Sequence, residues 1–224
     1  MRHMDMEATT AKRERKPRGL GHERRGEILA AAKELFVAEG YETVTTRKLA
    51  ERAGISQTGL YVYFKNKEEI LEALCESTFE LLTGALRKVA AETEPGPEQV
   101  RQMMRGYIAF GLEHPDEYQI TFMVSHGAMH KGKPKDFSLP REQQPTGIDA
   151  FLCFRDQIEK VREAGYIPID ATLATQIAWT ALHGLVALFI AHPEFPWVER
   201  RVLIDTMVET LVTGLLKPAD ARQR

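Results

Sequence analysis

Val44 to Lys67 reads VTTRKLAERAGISQTGLYVYFKNK, and this stretch decides the fold. Two short helical segments flank Ala53-Gly54-Ile55-Ser56, a four-residue turn containing glycine, which is the shape of a helix-turn-helix. Leu49, Ala50, Ile55, Leu60 and Phe64 can form the small core that sets the angle between the helices. Gly54 permits the turn, and Ser56 caps the second helix, the one that enters the major groove in this motif. Gln57, Thr58, Tyr61 and Tyr63 are then left to point outward. Glutamine can read adenine through a bidentate pair, and threonine can meet a base edge or a thymine methyl. Tyrosine hydroxyls and helix-end N–H groups hold phosphates. Thr45, Thr46 and Arg47 open the preceding helix and Lys67 opens the following one, where a backbone phosphate would pass. The plainer alternative is a helical hairpin with solvated polar residues; two tyrosines on one short outward face weigh against it.

Outward from this stretch the whole chain reads as helical. Ile28, Leu29, Ala32, Leu35 and Phe36 form one apolar stripe from about Glu23, and Gly40 stops that helix. Asn66 caps a long helix towards Ala91, with Glu69 placed as in a capping box. Pro95-Gly96-Pro97 marks a boundary. Further helices are expected at about Glu98–Glu113, Asp116–His126, Ile148–Ala164 and Asp170–Ala191, with a last one ending near Pro218. Residues 127–147, rich in glycine and proline, read as a long loop. The prediction is an all-α protein of about nine helices with no convincing strand. It divides into a disordered basic arm at 1–22, a DNA-binding domain at 23–66, a helical regulatory and dimerisation domain at 67–217, and a tail at 218–224.

Charge is unevenly spread. Residues 1–67 hold 14 basic and 9 acidic side chains, a net of +5, whereas the rest holds 16 and 23, a net of −7. A basic head on an acidic body suggests that the head alone meets a polyanion; a merely solubilising tail is the alternative. Cys75 and Cys153 lie far apart without a CxxC, so no disulfide framework, zinc site or redox motif is expected. No secretory signal is visible, and a cytoplasmic location is expected. Ala171 to Ala191 is uncharged and long enough for a bilayer, but Gln176, His183 and several threonines favour a buried helix over a membrane span. There is no HExxH, GxSxG, P-loop or GxGxxG, and the histidines are scattered, so neither an enzyme nor a cofactor is expected.

Residues 23–71 resemble the N-terminal domain of TetR/AcrR (tetracycline-repressor-like) regulators. The matching pieces include Glu39-Gly40-Tyr41, Thr45-Thr46-Arg47-Lys48-Leu49-Ala50, Ala53-Gly54-Ile55-Ser56, Gly59-Leu60-Tyr61, Tyr63-Phe64 and Lys65-Asn66-Lys67. The resemblance implies a homodimer that binds double-stranded, palindromic operator DNA. It implies a repressor released by a small ligand, with an activator or a ligand-independent regulator of the same fold as alternatives. Carried over by position, the DNA-facing residues are Thr46, Arg47, Gln57, Thr58, Tyr61, Tyr63 and Lys67, with Thr45 as the cap. Many relatives read Gly-Thr where this chain has Thr58-Gly59, which leaves no side chain at 59.

Trp179 to Leu185 (WTALHGL) resembles the Trp…His-Gly signature of one C-terminal subgroup of these regulators. Trp179 and His183 share a helix face, and Gly184 is expected to allow close helix approach. The resemblance also implies that the last two helices form the dimer interface. A ligand pocket is expected among helices four to eight, with Tyr107, Phe110, Met123, His126, Phe154 and Trp179 as candidate lining, plain core packing as the alternative for each, and the 127–147 loop over its mouth. That lining implies an apolar or amphipathic ligand. Helix four would be the lever between pocket and DNA.

Overall fold

A computed structural model of the chain describes residues 21–124 and 146–216. All of the predicted arm but Gly21 and His22, most of the 127–147 loop, His126 and the 218–224 tail lie outside the described residues. Among the described residues there are nine α-helices and no strand. The helices are α1 (Gly21–Glu39), α2 (Thr46–Arg52), α3 (Gln57–Tyr61), α4 (Lys67–Glu92), α5 (Pro97–Glu113), α6 (Pro115–Tyr118), α7 (Thr146–Glu163), α8 (Ala171–Ala191) and α9 (Arg200–Leu215). A 3-10 turn, Tyr41–Thr43, follows α1, and a π-helical turn, Gln119–Met123, continues α6.

Local chemistry explains most boundaries. Gly40 ends α1 at φ 82°, its N–H bonded to the Phe36 carbonyl at 3.1 Å. The Thr45 side chain accepts from Lys48 N, the Ser56 side chain from Gly59 N and the Asn66 side chain from Glu69 N, so α2, α3 and α4 are each capped at the predicted residue. The Glu69 carboxylate in turn accepts from Lys65 N at 2.6 Å, one residue earlier than in a standard capping box. Gly54 adopts φ 68° in the turn, a conformation that costs a side-chain-bearing residue about 1 kcal/mol or more.

Several boundaries differ from expectation. α1 begins at Gly21 rather than Glu23. α7 begins at Thr146, so the end of the expected loop is helical. Pro115 opens α6, where its missing N–H costs nothing. The helix expected to reach His126 stays α only to Tyr118, turns π, and passes to extended backbone at Val124.

Two cores form. The head core buries Ile28, Ala32, Phe36, Leu49, Leu60 and Phe64 together with Ile70 and Leu71 from the start of α4. The body core buries Leu82 and Leu86 from the same helix, with Met103, Met104, Tyr107, Tyr118, Ile158, Leu182 and Val186. α4 therefore belongs to both. The π turn does too: Ile120 is buried in the head core while Tyr118 and Phe122 pack on the body. Each fully buried Leu, Ile or Phe contributes about 1.5–3 kcal/mol.

α8 is long and apolar enough to cross a membrane by length and composition. Its Ala174, Ala178, Leu182, Val186 and Phe189 are instead buried within the body core, while Leu173, Ile177 and Leu188 remain exposed. Gly184 is not a close-approach site within the chain, since a Cβ there would meet nothing within 4 Å. The close approach occurs at Gly111, whose Cβ would lie 2.5 Å from Val186 Cγ1 and 3.0 Å from the Tyr118 ring.

Candidate nucleic-acid interface and regulatory cavity

The head presents one polar face. Leu49, Ala50, Leu60 and Phe64 are buried beneath it and Ile55 is partly buried, which fixes α3 against α2. Thr45, Arg47, Gln57, Thr58 and Tyr61 are exposed; Thr46, Tyr63 and Lys67 are partly buried. Three of these side chains are drawn together across the turn. Gln57 Nε2 donates to Thr46 Oγ1 at 3.1 Å and to the Tyr61 hydroxyl at 3.4 Å, and that hydroxyl lies 3.3 Å from Thr46 Oγ1. A Gln or Tyr held by neighbours loses less rotamer entropy when it meets a partner.

Lys67 departs from the simple picture of a free cation. Its ammonium donates to the Tyr41 carbonyl at 2.7 Å and sits 4.1 Å from the centre of the Tyr41 ring. It ties the start of α4 to the turn after α1, with only part of its hydrogen-bonding capacity left for a phosphate. Burial, with acidic neighbours, pushes the Tyr41 hydroxyl well above its usual range, so it stays neutral. Position 59 faces its own cap: a Cβ there would lie 3.2 Å from Ser56 Oγ. The motif does not single out Val62. At 77% exposure, next to Tyr61 on the outward side, it is the most exposed large apolar side chain among the described residues. Only its surface exposure distinguishes it from a core valine.

The head meets the body through α6 and its π turn. Lys33 of α1 donates to Glu117 of α6 at 2.8 Å. Burial alone would raise the Glu117 carboxyl, but the Lys33 bond leaves it below its usual range.

A cavity of about 130 Å³ lies in the body. α4 contributes Phe79, Leu82 and Leu86; α5 contributes Tyr107; the π turn contributes Phe122. α7 contributes Gly147, Ile148, Ala150, Phe151 and Phe154, and α8 contributes Gln176 and Trp179. Of the expected lining, Tyr107, Phe154 and Trp179 are there. Phe110 and Met123 are not. Phe110 is buried elsewhere in the core with its ring 4.9 Å from that of His114, and Met123 packs on the outside of the core at the end of the π turn. The α4 contribution escapes a linear reading because Phe79, Leu82 and Leu86 look like any core stripe.

A hydrogen-bonded chain runs beside the cavity. The Tyr107 and Tyr118 hydroxyls are 2.9 Å apart, and the Tyr118 hydroxyl is 2.7 Å from His183 Nδ1. The His183 ring stacks on Tyr118 at 5.6 Å and lies 6.4 Å from Trp179. Burial pushes the Tyr107 hydroxyl up to about 12, raises Tyr118 further, and lowers His183. All three therefore stand neutral near pH 7. His183 thus holds an aromatic core residue in place. No group of acidic, histidine or cysteine side chains among the described residues is arranged to hold a metal ion.

Comparison with known proteins agrees with both halves. The model for bacterial regulatory proteins of the tetR family matches residues 28–74, and that for the tetracyclin repressor-like C-terminal domain matches residues 100–215. The HTH-type transcriptional activator FasR of Mycolicibacterium smegmatis is 32% identical over 101 residues, 45% of this chain and 46% of that protein. The nucleoid occlusion factor SlmA of Vibrio campbellii is 34% identical over 158 residues, 69% of this chain and 78% of that protein. The chain spans about half the length of several curated relatives that it matches. The fold is shared with the regulator FadR of Bacillus subtilis, solved with stearoyl-CoA, at a TM-score of 0.67 and 19% identity over 84% of this chain and 98% of that one. The chain belongs to the tetR family of bacterial regulatory proteins, with the family's N-terminal domain at the helix-turn-helix head and its C-terminal domain in the helical body.

Proposed function

We propose that this regulator acts as a homodimer on a palindromic operator, represses transcription there, and is released by a small apolar or amphipathic ligand. The observation that carries the reading is the outward face of α2 and α3, where exposed Arg47, Gln57, Thr58 and Tyr61 stand over a closed apolar core. Arg47 and Lys67 supply charge for phosphate, while Gln57 and Thr58 supply base-edge chemistry.

Dimerisation is supported by the outer faces of the last two helices. Leu173, Ile177 and Leu188 on α8 and Val202 on α9 are large, apolar and exposed. A second copy covering them would remove that surface from water and place two α3 helices about 34–36 Å apart, one turn of duplex. The ligand reading is supported by the cavity, because α4 lines it at Phe79, Leu82 and Leu86 and also begins the head side at Lys67. A ligand that binds one α4 tilt better than the other shifts the balance between DNA-matching and non-matching dimers by that differential affinity. Activation instead of repression is the second reading, favoured by the likeness to the activator FasR.

The test is footprinting and run-off transcription on the DNA that flanks the coding gene, with the purified full chain. Protection of a palindrome with reduced transcript supports repression. Protection with increased transcript supports activation. No protection of any flanking sequence overturns the reading. Leu173→Glu combined with Ile177→Glu should yield monomers in analytical ultracentrifugation and lose the footprint.

A further inference from the structure

We infer that the cavity in the body takes a neutral, ring-sized aromatic group and excludes charged ones; this rests on the proposed ligand-responsive reading and names the ligand's chemistry. Six rings line the space: Phe79, Tyr107, Phe122, Phe151, Phe154 and Trp179. They come from α4, α5, the π turn, α7 and α8, so aromatic surface surrounds a guest on several sides. Phe79 and Phe122 already meet edge-to-face at 5.3 Å and 84°, and Phe151 and Trp179 at 6.2 Å and 68°. Such pairs leave ring edges and faces that a further flat ring can meet in the same geometry, each pairing adding attraction beyond simple burial.

Size sets the second limit. About 130 Å³ is close to the volume of an engineered hydrocarbon-lined cavity that admits a single benzene. A long acyl chain does not fit that volume without the walls moving.

Charge sets the third. Among the described residues, no Lys, Arg, His, Asp or Glu lines the cavity; Gln176, the Trp179 indole N–H and the Tyr107 hydroxyl, itself engaged by Tyr118, supply the side-chain polarity. A carboxylate there would be desolvated without a countercharge among the described residues, which is costly. An ammonium would gain cation–π attraction from the rings but would likewise find no described carboxylate to balance its lost hydration. The uncharged ring is the guest that loses least.

Toluene, benzoate and benzylammonium share one ring and differ in charge, so calorimetric titration of the full-length protein with each decides the matter. Toluene should bind at least tenfold more tightly than either ion. Ala150→Phe, which adds a ring at a lining position, should abolish toluene binding. Phe154→Ala, which enlarges the space, should shift preference from toluene towards naphthalene. Tighter binding of benzoate or benzylammonium overturns the inference, as does toluene affinity unchanged by both substitutions. Operator binding is read separately by fluorescence anisotropy on the same samples. Loss of DNA affinity in the unliganded protein would count against the regulator reading and leave the toluene result standing. Toluene that binds without altering DNA affinity would leave the cavity assignment intact and remove its regulatory role.

Discussion

The hydroxyl of Tyr61 lies 3.3 Å from Oγ1 of Thr46, so the last residue of α3 and the first residue of α2 share one polar cluster with Gln57. Residues 15 positions apart in sequence thus form a single polar surface. Tyr61 is 48% exposed, and its hydroxyl is the only atom that phenylalanine would lack. Tyr61→Phe should leave the thermal midpoint within the range of ordinary surface substitutions, about 0.5 kcal/mol. Operator affinity should fall about fivefold to tenfold, the loss of one net hydrogen bond. Fluorescence anisotropy on the footprinted DNA checks this, and equal affinity would place the hydroxyl outside the interface.

Lys67 has two roles to separate. Lys67→Met keeps the apolar stem and removes both the Tyr41 contacts and the charge. Stability should drop by about 1 kcal/mol, in keeping with one lost hydrogen bond. If the ammonium also meets a phosphate, the slope of log affinity against log salt should fall by about one unit. A stability loss with an unchanged slope would make Lys67 a strut between α4 and the α1 turn and nothing more.

Gly111 has no spare room. A Cβ at 2.5 Å from Val186 Cγ1 and 3.0 Å from the Tyr118 ring must push α5 from α8 or displace the hydrogen-bonded tyrosine. Gly111→Ala should therefore destabilise the body by about 1–3 kcal/mol, despite alanine's better helix propensity. Gly184→Ala, which meets nothing within the chain, is the control. If it leaves a monomeric variant unchanged but weakens the dimer, position 184 lies at the subunit interface. Urea unfolding of both variants measures the difference.

His183 predicts a pH effect of definite sign. Burial holds its folded pKa below the ordinary value of about 6.5, so the unfolded chain binds the proton more readily. Stability from this group is complete above about pH 6.5 and declines as the pH falls below it. The thermal midpoint of the wild type should fall more between pH 7.5 and 5.5 than that of His183→Gln. An equal fall in both would remove His183 as the cause.

The helical character, the turn and the caps were legible because their causes are local. Thr45, Ser56 and Asn66 cap helices through their own side chains, and Gly40 and Gly54 take up positive φ within a few residues of the elements they end. The outward placement of Gln57, Thr58 and Tyr61 followed from the same short-range periodicity. The π turn was not legible, since Gln119–Met123 has an ordinary helical composition and its geometry comes from meeting two cores at once.

What the chain's order of residues determined alone is therefore the helical character, the side-chain caps of α2, α3 and α4, and which faces are greasy. Tertiary structure decided which greasy faces meet and which leave a gap. Phe79, Leu82 and Leu86 became a cavity wall and Phe110 did not, Gly111 rather than Gly184 became the tight crossing, and Lys67 turned towards Tyr41. The physical reason is range: capping and periodicity act over three or four residues, whereas packing joins side chains from helices distant in sequence, and only their mutual fit fixes where volume is left unfilled.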